Sequence, residues 1–539
     1  MFKRHILILI YSLFAGVMAH GESMRDTIAR PDSVLKVAKA LIDKRDWVKA
    51  EKLLNDLKQT IQSQYGEHST QNREATYLLS LIAFNRNDLD KALESLQEAL
   101  KLYRESSDSV CFNASQCNSL ISQAYLRKGD FISGEGYILE ALRLRRKIYG
   151  TEDLEYAKML QNVGSFYGMK QAYDKAEFYL SECMKIRKSK LGIFSQPYAA
   201  NIRNLAELYY NRDRFELAES LCHTAINIFD SLRLKDKIEY PLSYILLGQI
   251  YESLGRKDKE EKSILTAFAS FQMNPSLQNT VGYGNCCTAL GIYYYDLGSY
   301  DKSVSFYQKA LDVFKKMSNG SETAQIVGTR SNLLRIYSEM GLDKGLEEQF
   351  QNAYDYYRKN AGEDHGLTLA ALQNLLEYQL KRNSPTLTDS IFKKNIELNL
   401  NNGGNKTLGC AKAMSLYANY LSRIKKYDEA IDKDTQAINL LTKEFGSDYH
   451  LIRTMLLQLA RTYYKINFLS KSAACLLQAG QIEKANKWKS LAFMSEQEAT
   501  TYYNKINKDE FNLYSELGDQ NMLKMLSNEA FDDILFNKG

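Results

Sequence analysis

The sequence predicts an all-α protein, a superhelical solenoid of about eleven helix pairs. One observation is a period of 42 residues that starts at Ala50; eight of its ten steps are 42 residues long and two are 43. The other is a helical spacing of apolar residues inside each period. A fixed period of roughly 20–50 residues is typical of repeat arrays, whose units contact only their neighbours. The marker positions are Ala50, Ala92, Gly134, Ala176, Ala218, Glu260, Ser303, Leu346, Thr388, Ala430 and Ser472.

The unit from Asn201 to Phe229 shows most clearly what one repeat contains. Its apolar residues form two runs with the i, i+3, i+4, i+7 spacing of an amphipathic helix, separated by the polar break Asn211–Arg214. Each unit is therefore predicted to be two helices joined by a short turn.

Small residues recur where the two helices of a pair should meet. They occupy the marker and the position seven residues later, where leucine would overpack the contact. Most units also carry an aromatic residue three positions before the marker, predicted to fill the gap beside the turn. The second small column is Ala99, Ala141, Cys183, Ala225, Ala267, Ala310, Ala353, Ala437 and Ala479, and the aromatic residues are Trp47, Phe131, Tyr173, Phe215, Tyr300 and Tyr427.

Glycine recurs sixteen residues after the marker, where the second helix should end. We expect it to adopt the left-handed C-cap conformation, which has no Cβ clash for glycine. Asn319 takes this place in one unit. The glycines are Gly66, Gly150, Gly192, Gly362, Gly404 and Gly446.

These columns, with a tyrosine nine residues before the marker, resemble the frame of the tetratricopeptide repeat (TPR) family with a lengthened second helix. The resemblance covers roughly Asp32 to Gln481 and implies a TPR-type superhelix. The unit around Thr388 departs most, since Pro385 and Asn395 replace its aromatic and small residues, and a distorted turn that could flex is expected there. The tyrosines are Tyr125, Tyr167, Tyr209, Tyr251, Tyr294, Tyr337 and Tyr463.

Residues 1–19 have the features of a cleaved secretory signal. Lys3 and Arg4 precede an apolar stretch, Ile6 to Val17, that is too short to span a membrane, and small residues precede the expected cleavage after Ala19. The first cysteine is Cys111, so this signal does not predict a lipoprotein. The expected location is periplasmic or extracellular, with no transmembrane segment after cleavage. The domain prediction is therefore a signal at 1–19, a repeat array at 32–481 and a helical connector at 482–539.

Charge and cysteine usage limit the classes of function. The net charge of +5 is too near balance, with no polybasic block, to predict nucleic-acid binding. The eight cysteines are expected mainly as small buried apolar residues. A bridge between Cys183 and Cys222 is the one disulfide worth testing in an exported protein.

No catalytic, metal-binding or phosphate-binding motif is recognisable, so no enzyme, metal or cofactor is predicted. His68, His365 and His450 fall in the loops after the capping glycines, which favours a packing role over a catalytic one.

An asparagine recurs in the first helix of several units and marks the candidate binding site. In related TPR proteins an asparagine in this frame bonds the backbone of an extended peptide, which suits an amide that donates and accepts at once. Arg203 and Arg335 lie beside this row and could bind carboxylates. The row is interrupted at Leu246 and Ala289, and the alternative is that these are ordinary solvated residues. The predicted peptide-binding asparagines are Asn162, Asn204, Asn332 and Asn374.

The C-terminal residues resemble the connector that precedes the caspase-like CHAT domain in bacterial TPR proteins. The resemblance rests on Leu491–Glu498, Tyr502–Tyr503 and Leu535–Gly539. An arginine expected near Glu498 is absent, and Tyr503 stands where the family has tryptophan. The resemblance implies that the catalytic residues of such a protease would lie beyond Gly539.

The favoured function is an exported, non-enzymatic scaffold that binds a protein or peptide partner in the concave groove, with its oligomeric state left open. The alternative is the regulatory arm of a truncated or split CHAT protease. A glycan-binding role in nutrient uptake is a third possibility, disfavoured because only Trp47 and Trp488 could supply tryptophan platforms for sugars.

Overall fold

The computed structural model describes residues 31–44, 46–86, 88–106, 110–318, 320–342, 344–401 and 406–491, with side chains up to Ile482 apart from Lys406. These residues form 22 α-helices, a short 3-10 helix at Pro275–Leu277 and no strand, which confirms the all-α prediction. Odd-numbered and even-numbered helices form the eleven expected pairs. The helices are α1 (Pro31–Asp43), α2 (Trp47–Tyr65), α3 (Thr70–Asn85), α4 (Leu89–Arg104), α5 (Phe112–Lys128), α6 (Phe131–Tyr149), α7 (Leu154–Met169), α8 (Tyr173–Leu191), α9 (Gln196–Tyr210), α10 (Phe215–Ser231), α11 (Glu239–Ser253), α12 (Lys257–Met273), α13 (Val281–Asp296), α14 (Tyr300–Met317), α15 (Ala324–Glu339), α16 (Leu346–Ala361), α17 (Gly366–Lys381), α18 (Asp389–Asn401), α19 (Lys406–Arg423), α20 (Tyr427–Phe445), α21 (His450–Lys465) and α22 (Leu469–Leu491).

The pair α9–α10 shows why the small columns recur. The polar break Asn211–Arg214 is the turn between the two helices, as the sequence predicts. Ala218 and Ala225 are fully buried on α10, and the aromatic Phe215 is buried as the first residue of that helix. Larger side chains at these two alanines would separate the helices.

Glycines on the first helices permit an equally close approach from the other side. A Cβ on Gly164 would lie 2.7 Å from Leu180, and a Cβ on Gly291 would lie 2.8 Å from the ring of Tyr307. Both distances are shorter than real Cβ contacts, so the large side chain of the second helix fills the space that the missing Cβ leaves.

The tyrosine column makes hydrogen bonds between neighbouring units. The hydroxyl of Tyr209 donates to Glu177 at 2.7 Å, and the hydroxyl of Tyr251 donates to Glu219 at 2.9 Å. Each glutamate also accepts a hydrogen bond from an arginine at 2.8 Å, Glu177 from Arg212 and Glu219 from Arg256. The tyrosine therefore contributes an apolar ring to the pair and a polar link to the preceding unit.

The capping glycines differ from expectation in one respect. Gly66, Gly192, Gly362 and Gly446 have φ between 76° and 103°, as required, but their ψ lies between 161° and 174°. This is an extended conformation at positive φ, not the left-handed helical one, and it is essentially restricted to glycine. The chain therefore leaves the second helix in an extended conformation.

The unit around Thr388 is distorted as the sequence predicts. Seven residues separate α17 from α18, against four in the turn between α9 and α10, and α18 is short. Asn395 and Asn399 are buried on α18, where the amide of Asn399 donates to the backbone oxygen of Asn395 at 2.7 Å. The flexion expected at this turn stays a prediction.

The chain divides into two compact units. One comprises residues 1–128 with 133–151, and the other comprises 129–132 with 152–539. In the second unit a single apolar core joins side chains of α9–α11 to side chains of α19–α22. The expectation that repeats contact only their neighbours is therefore wrong, because helix pairs far apart in sequence pack together.

Several predictions fall outside the described residues. These are the signal at 1–19, the connector beyond the described side chains, the capping residues Gly404 and Asn319, and Trp488.

Candidate functional site

The asparagine row lies fourteen residues before each marker on successive first helices. We define it as positions 162, 204, 246, 289, 332 and 374, on α7, α9, α11, α13, α15 and α17. Its two apolar members, Leu246 and Ala289, line a pocket of about 240 Å³. We call this the inner pocket, because first helices alone form it.

The inner pocket has an apolar floor and a polar rim. Besides Leu246 and Ala289, the floor consists of three more aliphatic side chains, and the rim carries two amides, a hydroxyl and one ion pair. The remaining lining residues are Leu242, Ile245, Ile292, Gln249, Asn285, Thr288, Arg203 and Glu207.

Arg203 and Asn204 contact each other at this pocket. The Arg203 guanidinium donates to the Asn204 amide oxygen at 3.0 Å and to Glu207 at 3.0 Å. The Arg203 side chain is 16% exposed and that of Glu207 is 50% exposed. Arg203 is thus already paired, and a carboxylate from a ligand would compete with Glu207.

The other predicted site residues lie farther along the row. Asn332 and Asn374 are half-buried on α15 and α17, and the amide of Asn374 donates to the Ser331 hydroxyl at 3.4 Å. Asn162 is half-buried on α7, beside the first helix that carries Asn204. The structure therefore joins Arg203 to Asn204, while peptide contact at all these residues stays a prediction.

Arg335 lies one turn beyond Asn332 among aromatic and acidic groups. Its guanidinium lies 4.9 Å from the ring centroid of Tyr295. Burial opposes its charge, but Tyr295, Glu377 and Asp296 outweigh burial and raise the pKa of Arg335. This arginine already has intramolecular partners where a ligand carboxylate was predicted.

One turn beyond the inner pocket, the carboxylates of Asp296, Glu260 and Glu252 surround Lys257. Lys257 Nζ lies 2.7 Å from Asp296 and 2.9 Å from Glu260, whose side chain is 1% exposed. Burial raises the pKa of Glu260 to about 8, although Lys257 opposes this shift. Burial and Asp296 also raise the pKa of Glu252. Glu260 occupies a marker position, so the pair α11–α12 buries an acid where most units have a small residue.

A set of contacts, which we call the seam, joins early and late repeats of the second unit. His365 Nε2 contacts the Met169 backbone oxygen at 2.9 Å, and the Gly366 N–H donates to the Gln171 side chain at 3.1 Å. The ring of Phe131 stacks on His365 with centroids 4.6 Å apart. Turns inside early repeats therefore meet the loop that precedes α17.

The seam continues along the next two repeats at nearly the same sequence separation. Burial raises the pKa of Asp213 to about 7, and the backbone of Leu408 opposes this shift. A Cβ on Gly255 would lie 3.0 Å from His450, and burial lowers the pKa of His450 to about 4. His365 and His450 thus have the packing role that their loop positions predicted, whereas the side chain of His68 is 68% exposed.

Sequence reasoning missed Gln249 and Asn285 at the pocket rim. Their signal was weak, because the columns to which they belong, eleven and eighteen residues before the marker, hold different residue types from unit to unit.

Two properties of the described residues bear on other functions. No described helix combines the length and apolarity that a membrane crossing requires. In the same part of the chain, no three histidine, cysteine or acidic side chains are grouped to hold a metal ion. In the described residues none of the eight cysteines is joined to another in a disulfide, and all but Cys111 are buried.

Models of the tetratricopeptide repeat match four segments, residues 74–106, 115–189, 198–272 and 284–319. None of the curated proteins matches the sequence.

Similar solved structures include three proteins of low sequence identity. A Rap protein complexed with competence and sporulation factor is 14% identical with a TM-score of 0.47, covering 70% of this chain and 99% of its own. BtubC (BKLC) from P. vanneervenii is 19% identical with a TM-score of 0.34, covering 47% of this chain and 92% of its own. A putative kinesin light chain with TPR-like repeats from Podosopora anserina is 14% identical with a TM-score of 0.35, covering 38% and 98%.

The four matched segments show that this chain contains tetratricopeptide repeats, a scaffold consistent with protein–protein interaction.

Proposed function

We propose that the chain is an exported, non-enzymatic scaffold that binds a peptide or partner helix along the inner face of its first helices. The inner pocket carries this proposal, because three consecutive first helices form it, and two of them, α11 and α13, add amide and hydroxyl groups to its aliphatic floor. Ligand sites in proteins commonly combine such a floor with a few oriented polar groups.

Site-specific photo-crosslinking in the cells that make the protein tests the location of binding. A photo-reactive phenylalanine derivative replaces Asn285 at the pocket rim or, as the control, Phe178, which is 60% exposed on the second helix α8. Protein or peptide adducts are expected at position 285 and not at 178. Equal adducts at both positions, or none at 285, would contradict binding along the inner face.

The double variant Arg203→Ala/Asn204→Ala tests the predicted row in the same assay. Because the Arg203–Glu207 pair is partly exposed, its loss should change the free energy of unfolding by less than about 1 kcal/mol. Adduct yield at position 285 should fall while thermal stability is kept. An unchanged yield would remove Arg203 and Asn204 from the site.

Export is the second part of the proposal and rests on residues 1–19. Lys3 and Arg4, the apolar stretch after them and the small residue Ala19 match a signal that is cleaved to leave His20 at the N-terminus. Mass spectrometry of the N-terminal peptide from the native host tests this, and a chain that still begins at Met1 would contradict it.

A regulatory arm of a CHAT protease is the alternative, and it rests on the resemblance at Leu491–Glu498. The reading frame that follows the codon for Gly539 decides it. A continuation encoding an apolar strand, a His-Gly pair and a later cysteine would support this alternative over a free-standing scaffold.

A further inference from the structure

The inner pocket interrupts the asparagine row with apolar residues. Leu246 and Ala289 stand where the row has asparagine on α7, α9, α15 and α17. Both are buried in the wall of the pocket, 2% and 6% exposed. A bound chain that follows the row therefore passes from amides to an aliphatic surface at this point and to amides again beyond it.

The amides of this pocket are displaced from the row to the rim. Gln249 lies on α11 and Asn285 on α13, and neither side-chain amide forms a hydrogen bond with another described residue. A side-chain amide both donates and accepts, so each can pair with one peptide group of an extended chain. Two such groups on adjacent helices can hold the backbone on both sides of one anchored side chain.

The two charged side chains that line the pocket neutralise each other. Arg203 and Glu207 form an ion pair at 3.0 Å, and the floor consists of aliphatic side chains. A charged anchor would lose its hydration on this floor without gaining a free counter-charge. The volume of about 240 Å³ suits one side chain of intermediate size.

We infer that the inner pocket selects an uncharged aliphatic side chain, such as leucine, isoleucine or methionine, within an extended peptide. Gln249 and Asn285 bond the peptide backbone on either side of this anchor. The inference rests on the proposed function, because it names the ligand chemistry of the same groove.

The probe is a phage-displayed library of random peptides, selected on the purified chain. We expect enriched peptides to share one aliphatic position and to lose at least about tenfold in affinity when that residue becomes alanine, as for the loss of a few methylenes from a hydrophobic pocket. The variant Ala289→Met fills the pocket and should weaken the same peptides at least tenfold. The control Ala269→Met adds the same side chain at an exposed position of the second helix α12 and should leave binding unchanged.

A second variant guards against misfolding of the first. Ala289→Asn places the row's own residue on the floor, and circular dichroism with thermal melting verifies that each variant is folded. Two results would contradict the aliphatic anchor but not peptide binding itself. One is that the enriched peptides share no aliphatic position, and the other is that they bind both Ala289 variants with the same affinity as the wild-type chain. If no peptide is enriched and no adduct forms at position 285, the proposed peptide-binding function itself fails.

Discussion

The imidazole of His365 lies 2.9 Å from the backbone oxygen of Met169, a residue 196 positions earlier. Because a carbonyl oxygen can only accept, Nε2 of the ring carries the proton. Nδ1 is then left to accept the backbone N–H of Leu367 at 3.2 Å. One neutral imidazole therefore caps α17 and joins it to an earlier repeat.

Acid should weaken this contact. Burial lowers the pKa of His365 below 6.5, opposed by the Met169 oxygen and by the charge of Asp364. The stability that the neutral ring contributes is therefore present above about pH 6.5 and is lost as the pH falls through the lower folded pKa. We expect His365→Gln to lose about 1–2 kcal/mol in the free energy of unfolding at pH 7. Urea unfolding at pH 7 and at about pH 5 measures the change.

His68→Gln is the matched control, since the side chain of His68 is 68% exposed. The difference in stability between wild type and His365→Gln should shrink at about pH 5, whereas His68→Gln should follow wild type at both values. His450, whose pKa burial also lowers, is present in every variant and cancels in the comparison. A constant difference for His365→Gln at both pH values would show that protonation of this ring does not weaken the seam.

The stability that Glu260 contributes should depend on pH in the opposite direction to that of His365. Its folded pKa is raised to about 8 from 4.5, so the folded chain keeps a proton that the unfolded chain releases. The stability it contributes is fully present below about pH 4.5 and is lost as the pH rises through about 8. Glu260→Gln stays neutral and should be more stable than wild type by about 1–3 kcal/mol at about pH 9. Chemical unfolding at about pH 5 and pH 9 measures the difference.

Glu397 on α18 supplies the control, because its side chain is exposed. Glu397→Gln should match wild type at both pH values. Equal stability of wild type and Glu260→Gln at about pH 9 would mean that Lys257 keeps Glu260 ionised at little cost.

The local part of the fold could be predicted because each repeat is specified by residues close in sequence. The turn at Asn211–Arg214, the buried Ala218 and Ala225, and the positive φ of Gly66 all follow from spacing within one unit. The period then reproduces the same pair eleven times. The positions of the helices and of the asparagine row could therefore be predicted without knowledge of distant contacts.

The seam and the pocket could not be predicted in this way. Contacts such as Gln171 with Gly366 depend on small rotations between repeats that accumulate along the array. The sequence of a single repeat does not determine the total rotation. Gln249 and Asn285 meet at the pocket rim through the same packing of neighbouring units, so their amides had no periodic signal in the sequence.

Gly291 should tolerate no side chain. A Cβ there would lie 2.8 Å from the ring of Tyr307, which is 2% exposed and has little room to move. We expect Gly291→Ala to lower the free energy of unfolding by about 1–3 kcal/mol, although alanine favours the helix. The control Gly136→Ala lies on α6 with nothing within 4 Å of its new Cβ, and it should stabilise by up to about 1 kcal/mol. Thermal melting measures the stability of both variants. A Gly291→Ala variant more stable than wild type would contradict the close approach of Tyr307 to Gly291.

The cysteines should remain reduced and unreactive even in an exported protein. Cys183 and Cys222 are fully buried on neighbouring second helices, and burial raises their pKa to about 11 and about 12. Since the thiolate is the reactive form, native protein treated with iodoacetamide should be alkylated at Cys111 alone, the one thiol that is not buried. In urea without a reductant, intact-mass measurement should show all eight cysteines alkylated. Two cysteines that react only after a reductant is added would establish a disulfide, and peptide mapping would show whether it joins Cys183 to Cys222.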